Sequence, residues 1–186
     1  MELVAIGCST GGLRALQVLL RGLAPCPGTA FVVVIHTASA DADSLCHLFA
    51  RHAPMPVLEA VERTPARPGV LHVAPPGYHL LIGSDRHFSL TVDPKVCFVR
   101  PSVDVLFESA ADTYRDRMAA VILTGANDDG ARGLRRVRQL GGVALVQDPE
   151  EAESSIMPQA ALSIAGADYC MALADIANEL NRMCLP

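Results

Sequence analysis

Three reactive side chains follow predicted strands of this sequence: a serine, a histidine and an aspartate. Ser9 lies in the segment Gly7-Cys8-Ser9-Thr10-Gly11, between a predicted strand and a predicted helix. His36 directly follows a second strand, and Asp128 and Asp129 follow a third. Because the carboxyl ends of parallel strands meet at one edge of an open sheet, these groups are expected to converge there. A hydroxyl, an imidazole and a carboxylate in one place are the components of a nucleophilic hydrolase.

The turn that carries Ser9 reads G-x-S-x-G and is followed by a further glycine, Gly12. Small neighbours allow a turn tight enough to expose the serine hydroxyl above the sheet edge. The N–H groups of Thr10 and Gly11 would begin the following helix and would stabilise an oxyanion on the group that Ser9 attacks. Gly12 leaves room for a substrate to approach the backbone. We therefore interpret Ser9 as a nucleophile, with Thr10, Gly11 and Gly12 as oxyanion or substrate-binding residues.

A glycine-rich turn after a first strand also binds phosphate in dinucleotide-binding folds. Those folds place an acidic residue near the end of the second strand to hold the ribose, whereas this chain has His36 there. The histidine favours the nucleophile over the phosphate site but does not exclude the latter.

Each partner of Ser9 has a structural interpretation when it is taken alone. A single histidine is more often a packed or loop residue than a base, and Asp128 or Asp129 would suit the N-cap of a helix that begins near Ala131. Cys8 is a second candidate nucleophile, but its side chain should point away from that of Ser9, into the fold. Convergence at three strand ends favours catalysis and does not distinguish the two aspartates.

The order of the predicted elements places these groups in an α/β fold. Strands are predicted at residues 3–6, 31–35, 119–123 and 143–146, and helices at about residues 13–23, 43–52, 103–115 (with Ser102 as N-cap), 131–140 and 173–183. Residues 70–74, 78–82 and 87–92 are predicted to form short antiparallel strands around tight turns. We predict a single three-layer α/β/α domain over residues 1–186, with a mostly parallel doubly wound sheet and a small antiparallel β excursion near residues 70–92.

Composition excludes several classes of function. The chain has 186 residues, of which 51% are hydrophobic and 19% charged, as expected of one globular domain. A net charge of −5 argues against nucleic-acid binding, and the single lysine, Lys95, lies outside any Gly-Lys-Ser/Thr motif, which excludes a P-loop. No apolar run approaches the about 20 residues of a membrane span, so no membrane insertion is expected. Six scattered cysteines without a Cys-x-x-Cys pair, and no export signal, predict a cytoplasmic protein without metal or cofactor.

Several ordered motifs resemble the catalytic domain of the chemotaxis receptor protein-glutamate methylesterases, the CheB family. The resemblance extends from about Val4 to Ile176. The motifs are Ile6-Gly7-Cys8-Ser9-Thr10-Gly11-Gly12, Val34-Ile35-His36, Val73-Ala74-Pro75-Pro76-Gly77, Arg100-Pro101-Ser102-Val103-Asp104, Leu123-Thr124-Gly125 with Asp129-Gly130-Ala131, and Met157-Pro158.

The resemblance implies hydrolysis of glutamate methyl esters on the cytoplasmic methylation helices of chemoreceptors, often with deamidation of receptor glutamines. By position it makes Ser9 the nucleophile, His36 the base and Asp129, rather than Asp128, the orienting carboxylate. It also places a backbone donor of the oxyanion hole near Ala126.

This chain departs from the family pattern around the histidine and the aspartate. The family usually has Gln before the histidine and Met or Leu after it, where this chain has Ile35 and Thr37. Where the family usually has Met-Gly before the aspartate loop, this chain has Ala126-Asn127. These substitutions keep two alternatives open: a catalytically impaired homologue that binds receptors or partners, and a small-molecule esterase with the same triad.

Regulation and docking are further expectations. Typical family members carry an N-terminal phosphoacceptor receiver domain, which has no counterpart in this sequence because the resemblance begins within a few residues of Met1. Two alternatives stay open: a free-standing homologue, or a domain cut from a longer chain. A separate regulatory protein is a possible partner. Four arginines make the helix after the aspartate loop basic; a solvated helix face explains them better than attraction to an acidic receptor helix does. They are Arg132, Arg135, Arg136 and Arg138.

Overall fold

The computed structural model describes residues 1–37 and 41–184, in which strands and helices largely alternate. In chain order the elements are β1 (Leu3–Cys8), α1 (Gly12–Gly22), β2 (Ala30–Ile35), α2 (Ala42–Ala50), β3 (Val57–Glu59), β4 (Leu71–Val73), β5 (His79–Ile82), β6 (Phe88–Thr91), α3 (Val103–Tyr114), β7 (Met118–Ile122), α4 (Ala131–Gln139), β8 (Val143–Gln147), α5 (Ile156–Ile164), β9 (Tyr169–Met171) and α6 (Leu173–Cys184). None of the helices in these two ranges is both long and apolar enough to cross a membrane.

The main sheet has seven strands in the order β3-β4-β2-β1-β7-β8-β9, and every neighbouring pair is parallel. β1 lies at the centre, with β2 on one side and β7 on the other. The chain therefore reverses its direction of winding at β1, which is where an open α/β sheet forms a crevice for a ligand. Cys8 pairs with Ile35 and Gly7 pairs with Ile122, so the three central strands end at the same level.

Helices cover both faces of the sheet, which confirms the predicted three-layer fold. Along β1, Leu3 and Ala5 belong to the core under α3 and α4, whereas Val4 and Ile6 belong to the core under α1 and α6. The central strands are thus buried on both faces, as their continuous apolar runs predicted.

The antiparallel excursion is a hairpin of β5 and β6 that packs on α3. Leu80, Ile82 and Phe88 bury their side chains in the core on that face. The predicted antiparallel strands near residues 78–82 and 87–92 are therefore confirmed, but the expectation for residues 70–74 is wrong. β4 lies in the main sheet, parallel to both β2 and β3. Its three residues are all buried, as in an interior strand, and the Pro-Pro-Gly turn after it does not form a hairpin.

Three elements had no predicted counterpart: β3, α5 and β9. β3 and β9 are strands of three residues at the two edges of the sheet, too short to show a periodic pattern. α5 has Pro158 in its first turn, where a residue without an N–H is tolerated. Because proline usually ends a helix, the sequence did not predict one here.

His72, in β4, is a buried histidine with an incompletely satisfied ring. It is 3% exposed, its Nε2 accepts a hydrogen bond from the Arg67 N–H (3.1 Å), and its Nδ1 is buried without a partner among the described residues. Burial, together with the nearby charge of Arg67, lowers the pKa of His72 to about 4.

We expect His72 to make stability depend on pH between about 6.5, where an exposed histidine titrates, and about 4. In that range the unfolded chain binds more protons at this position, so the free energy of unfolding should fall by about 2–3 kcal/mol as the pH decreases. Urea unfolding at several pH values checks this. His72→Leu should remove this part of the slope, whereas His87→Gln, at a half-exposed position, should leave it. An equal slope in wild type and His72→Leu would contradict the assignment.

Candidate active site

Ser9 begins the turn between β1 and α1. Its N–H donates a hydrogen bond to the Thr124 carbonyl (2.9 Å), and its carbonyl accepts one from the Gly12 N–H (2.7 Å). Gly11 adopts a left-handed backbone (φ 76°) at the start of α1 and lies against the Glu153 side chain, so a Cβ there would be both strained and crowded. These backbone contacts hold the half-buried Ser9 at the carboxyl edge of the sheet.

Cys8, the neighbouring candidate nucleophile, points into the core as predicted. It is 0% exposed, and its thiol faces the Val34 carbonyl at 3.9 Å. Burial raises the pKa of the Cys8 thiol far above its usual range, so the thiolate that nucleophilic attack requires is not formed. Of the two adjacent residues, Ser9 lines the cavity that His36 also lines, whereas Cys8 is enclosed in the core.

His36 follows β2 at the same level as Ser9. Its N–H donates a hydrogen bond to the Cys8 carbonyl (3.0 Å), which continues the pairing of β1 and β2 past the strand ends. Ser9 and His36 both line a cavity of about 260 Å³. Among the residues that the structure describes, His36 makes no hydrogen bond with Ser9 Oγ; such contacts often tighten only when substrate binds.

Asp129 is fully buried, and its carboxylate accepts four hydrogen bonds. Oδ1 accepts from Ser102 Oγ (2.7 Å) and the Asp104 N–H (3.0 Å). Oδ2 accepts from the Val103 N–H (2.6 Å) and lies 2.9 Å from His36 Nε2. Every lone-pair position of the carboxylate is thus occupied.

The carboxylate of Asp129 therefore lies at the N-terminus of α3, where the helix dipole favours an anion. Although burial raises the pKa of Asp129, the hydrogen bonds from His36, Ser102 and the two backbone N–H groups hold it below its usual value. The alternative interpretation of Asp129 as the cap of α4 is wrong, because Gly130 occupies that position without a side-chain cap. Asp128 is exposed, so Asp129 is the aspartate that the fold brings to His36.

A second buried carboxylate, that of Asp104, links the N-terminus of α3 to that of α4. Asp104, in the first turn of α3, accepts hydrogen bonds from the Gly133 N–H (2.7 Å) and Arg132 Nε (3.0 Å) in the first turn of α4. Asp129, directly before α4, in turn caps α3. Burial raises the pKa of Asp104, against the opposite effect of its hydrogen bonds. The two N-termini are fixed to each other, and Asp129 with them.

One group of side chains has the composition of a metal site. Ligand atoms of Cys97, Asp104 and Asp129 lie within 4.8 Å of one another. The carboxylate oxygens already accept hydrogen bonds, and burial raises the pKa of Cys97 to about 11, which keeps its sulfur protonated. These donors suit the hydrogen-bonding network better than a cation.

The hydrogen bonds around His36 determine which ring nitrogen carries the proton. The Asp129 N–H donates to Asn127 Oδ1 (3.3 Å), so the amide nitrogen of Asn127 faces His36 Nδ1 (3.3 Å). That nitrogen can only donate, which requires a lone pair on Nδ1. The proton is therefore on Nε2, where it is donated to Asp129. With this arrangement of donors, the basic nitrogen of His36 is Nδ1.

Backbone donors lie beside Ser9. Among the described residues, none accepts a hydrogen bond from the N–H groups of Thr10, Gly11 or Ala126, whereas that of Gly12 is used within the turn. Gly125 packs so closely that a Cβ there would lie 2.9 Å from Ser9 Cβ and 2.4 Å from Met157 Sδ. This close approach brings Ala126 beside the serine turn.

Sequence reasoning missed four residues that support the site: His79, Ser102, Asn127 and Gly125. Ser102 is confirmed as an N-cap, because its hydroxyl accepts a hydrogen bond from the Val105 N–H (3.4 Å). The hydrogen bond that the same hydroxyl donates to Asp129 was not expected. His79 is buried, accepts the Ser102 N–H at Nδ1 (3.2 Å) and donates from Nε2 to the Pro94 carbonyl (3.1 Å). In the sequence, these residues were marked only because they lie in or near the motifs shared with the CheB family.

The CheB methylesterase family model matches residues 4–180. The chain belongs to this family. The CheB methylesterase catalytic domain of Thermotoga maritima, solved as a crystal structure, superposes with a TM-score of 0.93 at 31% identity and covers 98% of both chains.

Relatives in the CheB family differ in length. A putative protein-glutamate methylesterase/protein-glutamine glutaminase of Leptospira interrogans is 40% identical over 98% of this chain and 94% of its own. A protein-glutamate methylesterase/protein-glutamine glutaminase of Symbiobacterium thermophilum is 34% identical over 97% of this chain but only 50% of its own. The chain thus spans nearly all of the first relative and about half of the second.

Proposed function

We propose that this protein hydrolyses glutamate methyl esters on the methylation helices of chemoreceptors in bacterial chemosensory adaptation. The observation that carries the proposal is the buried Asp129–His36 pair beside Ser9, in a chain that belongs to the CheB methylesterase family. The relatives' names supply the substrate class.

The geometry supports a two-step acyl transfer. Ser9 Oγ attacks the ester carbonyl carbon while His36 Nδ1 takes the hydroxyl proton, and Asp129 stabilises the imidazolium through Nε2–H. The N–H groups of Thr10, Gly11 and Ala126 are the candidate donors to the oxyanion. The tetrahedral intermediate expels the methoxy group, which receives the proton from His36 and leaves as methanol.

Water completes the cycle. His36 takes a proton from a water molecule, which attacks the acyl-enzyme; the glutamate carboxylate is released and Ser9 regains its proton. A glutamine side chain would follow the same steps with ammonia as the leaving group. This is consistent with the glutaminase activity in the relatives' names.

Release of methanol from a methylated receptor fragment, measured with the purified chain, tests the proposal. Turnover of the receptor fragment supports it. Turnover of simple methyl esters alone would favour a small-molecule esterase, and binding without turnover of either would favour a receptor-binding homologue. The same assay with and without added cell extract would detect the separate regulatory protein that we also propose.

The basic face of α4 is not the docking surface that we favour. Arg132, Arg136 and Arg138 form ion pairs with Asp104, Asp112 and Asp168, respectively. This pairing agrees with a solvated helix face.

A better surface for the receptor is a second cavity, of about 310 Å³, which His36 also lines. Phe98, which is 93% exposed, and Pro76 give it apolar walls, while Lys95 and Arg100 supply positive charge. A helix that carries glutamates and their esters offers the complementary apolar and acidic groups.

We expect Phe98→Ala to raise the KM for the methylated receptor fragment about 5- to 30-fold with little change in kcat, because an aromatic anchor acts on binding. Hydrolysis of p-nitrophenyl acetate should be unaffected. Val61→Ala, which removes an exposed apolar side chain outside the cavity, is the control. A fall in kcat on both substrates would instead place Phe98 in the support of the catalytic residues.

A further inference from the structure

Asn127 is the residue nearest to the chemistry that the proposed mechanism leaves without a role. It precedes Asp129 in the loop after β7 and is half-buried. Its Oδ1 accepts the Asp129 N–H, and its Nδ2 lies 3.3 Å from His36 Nδ1. The side chain therefore connects the backbone of the carboxylate residue with the basic nitrogen of the imidazole.

We propose that Asn127 is a positioning residue, which holds His36 as the neutral tautomer with its lone pair on Nδ1 and occupies that lone pair until substrate binds. The proposal deepens the proposed function, on which its kinetic consequence rests; the hydrogen-bonding argument itself needs no substrate.

The tautomer follows from fixed donors at both ends of the ring. Asp129 accepts from Nε2, and Asn127 cannot reverse its amide without turning an NH₂ group toward the Asp129 N–H. Two nitrogen donors would then face each other, and Oδ1 would face Nδ1, where it could bond only to a ring that carries a proton on that nitrogen. The Asp129 N–H thus determines the orientation of the Asn127 amide, and that orientation determines the tautomer of His36.

The same contact opposes protonation of the ring. A donor to Nδ1 can bind only the neutral form, because the imidazolium carries a hydrogen at that position. Ser9 Oγ–H must use this lone pair in the reaction, so it replaces Asn127 as the donor when substrate arrives. Asn127 therefore keeps the base neutral and oriented while the nucleophile is still outside hydrogen-bonding geometry.

Other charges face His36 from the elements around it. Asp129 is in direct contact through Nε2. Lys95 and Arg100 line the cavity on one side of the ring, and Arg14 and Glu153 line the cavity shared with Ser9. None of these is changed by a substitution at Asn127, so a difference between variants isolates the amide.

Nitrogen NMR of ¹⁵N-histidine-labelled protein, with His36 signals assigned by comparison with His36→Gln, tests the proposal without substrate. In the wild type at neutral pH, Nδ1 should show the shift of an unprotonated nitrogen. In Asn127→Ala, the pH at which the ring takes up its second proton should rise by about 0.5–1 unit. In the pH profile of kcat/KM, the midpoint of the acid limb should move to higher pH by the same amount.

Two further variants separate positioning from loss of structure. Asn127→Asp keeps an acceptor for the Asp129 N–H but loses the donor and adds a charge, so its midpoint should rise by about 1–2 units. Asp128→Asn, an exposed neighbour, should move the midpoint by less than about 0.3 unit, and downward. A protonated Nδ1 in the wild type, or a midpoint unchanged or lower in Asn127→Ala, would overturn the proposal. Failure of the wild type to release methanol would overturn only the proposed function.

Discussion

Ser9→Ala is expected to lower kcat on a methylated receptor fragment by about 10³–10⁶-fold, the range found when a triad nucleophile is removed. Only the hydroxyl is lost: the turn is held by backbone bonds to Thr124 and Gly12, and the Ser9 side chain makes no hydrogen bond within the described residues. The variant should therefore unfold at the same denaturant concentration as the wild type. Methanol release and urea unfolding on the same samples measure both quantities.

Cys8→Ala is the matched control, because it removes the neighbouring candidate nucleophile from a buried position. It should retain kcat within a few fold and lose some stability through lost packing. If Cys8→Ala abolished turnover while Ser9→Ala retained it, the assignment of the nucleophile would be wrong.

Asp129→Asn is expected to lower kcat by about 10³–10⁴-fold and to destabilise the fold by about 1–3 kcal/mol. The carboxylate has two acceptor oxygens and four donors around it; an amide has one oxygen and presents an NH₂ group to the rest. In either orientation that group faces a backbone N–H of α3, which leaves the helix terminus partly unsatisfied. On the Oδ2 side it also faces His36 Nε2–H and reverses the tautomer of the base.

The adjacent Asp128→Asn makes the same chemical change at an exposed side chain and should alter neither quantity appreciably. Parallel assays of the two variants compare the aspartates directly. Loss of turnover in Asp128→Asn with retention in Asp129→Asn would show that the loop is assigned in the wrong register.

The sequence predicted those parts of the fold whose burial shows in a local pattern of apolar residues. Four central strands are apolar on both faces. Ser9 and His36 follow two of them directly and Asp129 lies in the loop after a third, so both the sheet and its chemical edge could be predicted from neighbouring residues. Strands of three residues carry no such pattern, and β4 was misplaced because the turn after it resembles that of a hairpin.

The support of the site was less predictable because it is made by contacts distant in sequence. Asp129 caps a helix that begins 26 residues before it, and no local pattern distinguishes that use from capping α4. Ser102 illustrates the same limit, since its local role as N-cap was evident and its bond to Asp129 was not. Asn127 stood out only as a departure from the family pattern, and its meaning depends on the orientation of its amide.

Asp129 also determines how this fold would change if hydrolysis were no longer selected. A chain that must only stay folded still needs a carboxylate to hold the first turn of α3. Ser9 has no comparable structural role, since its hydroxyl is bonded to none of the described residues. Within that part of the chain, the ring of His36 bonds only to Asp129 and Asn127. Evolutionary drift toward a non-catalytic protein should therefore erase the serine or the histidine first. In such descendants, the presence of the aspartate would indicate only common descent and a need to fold, whereas the presence of the serine would indicate that hydrolysis is retained.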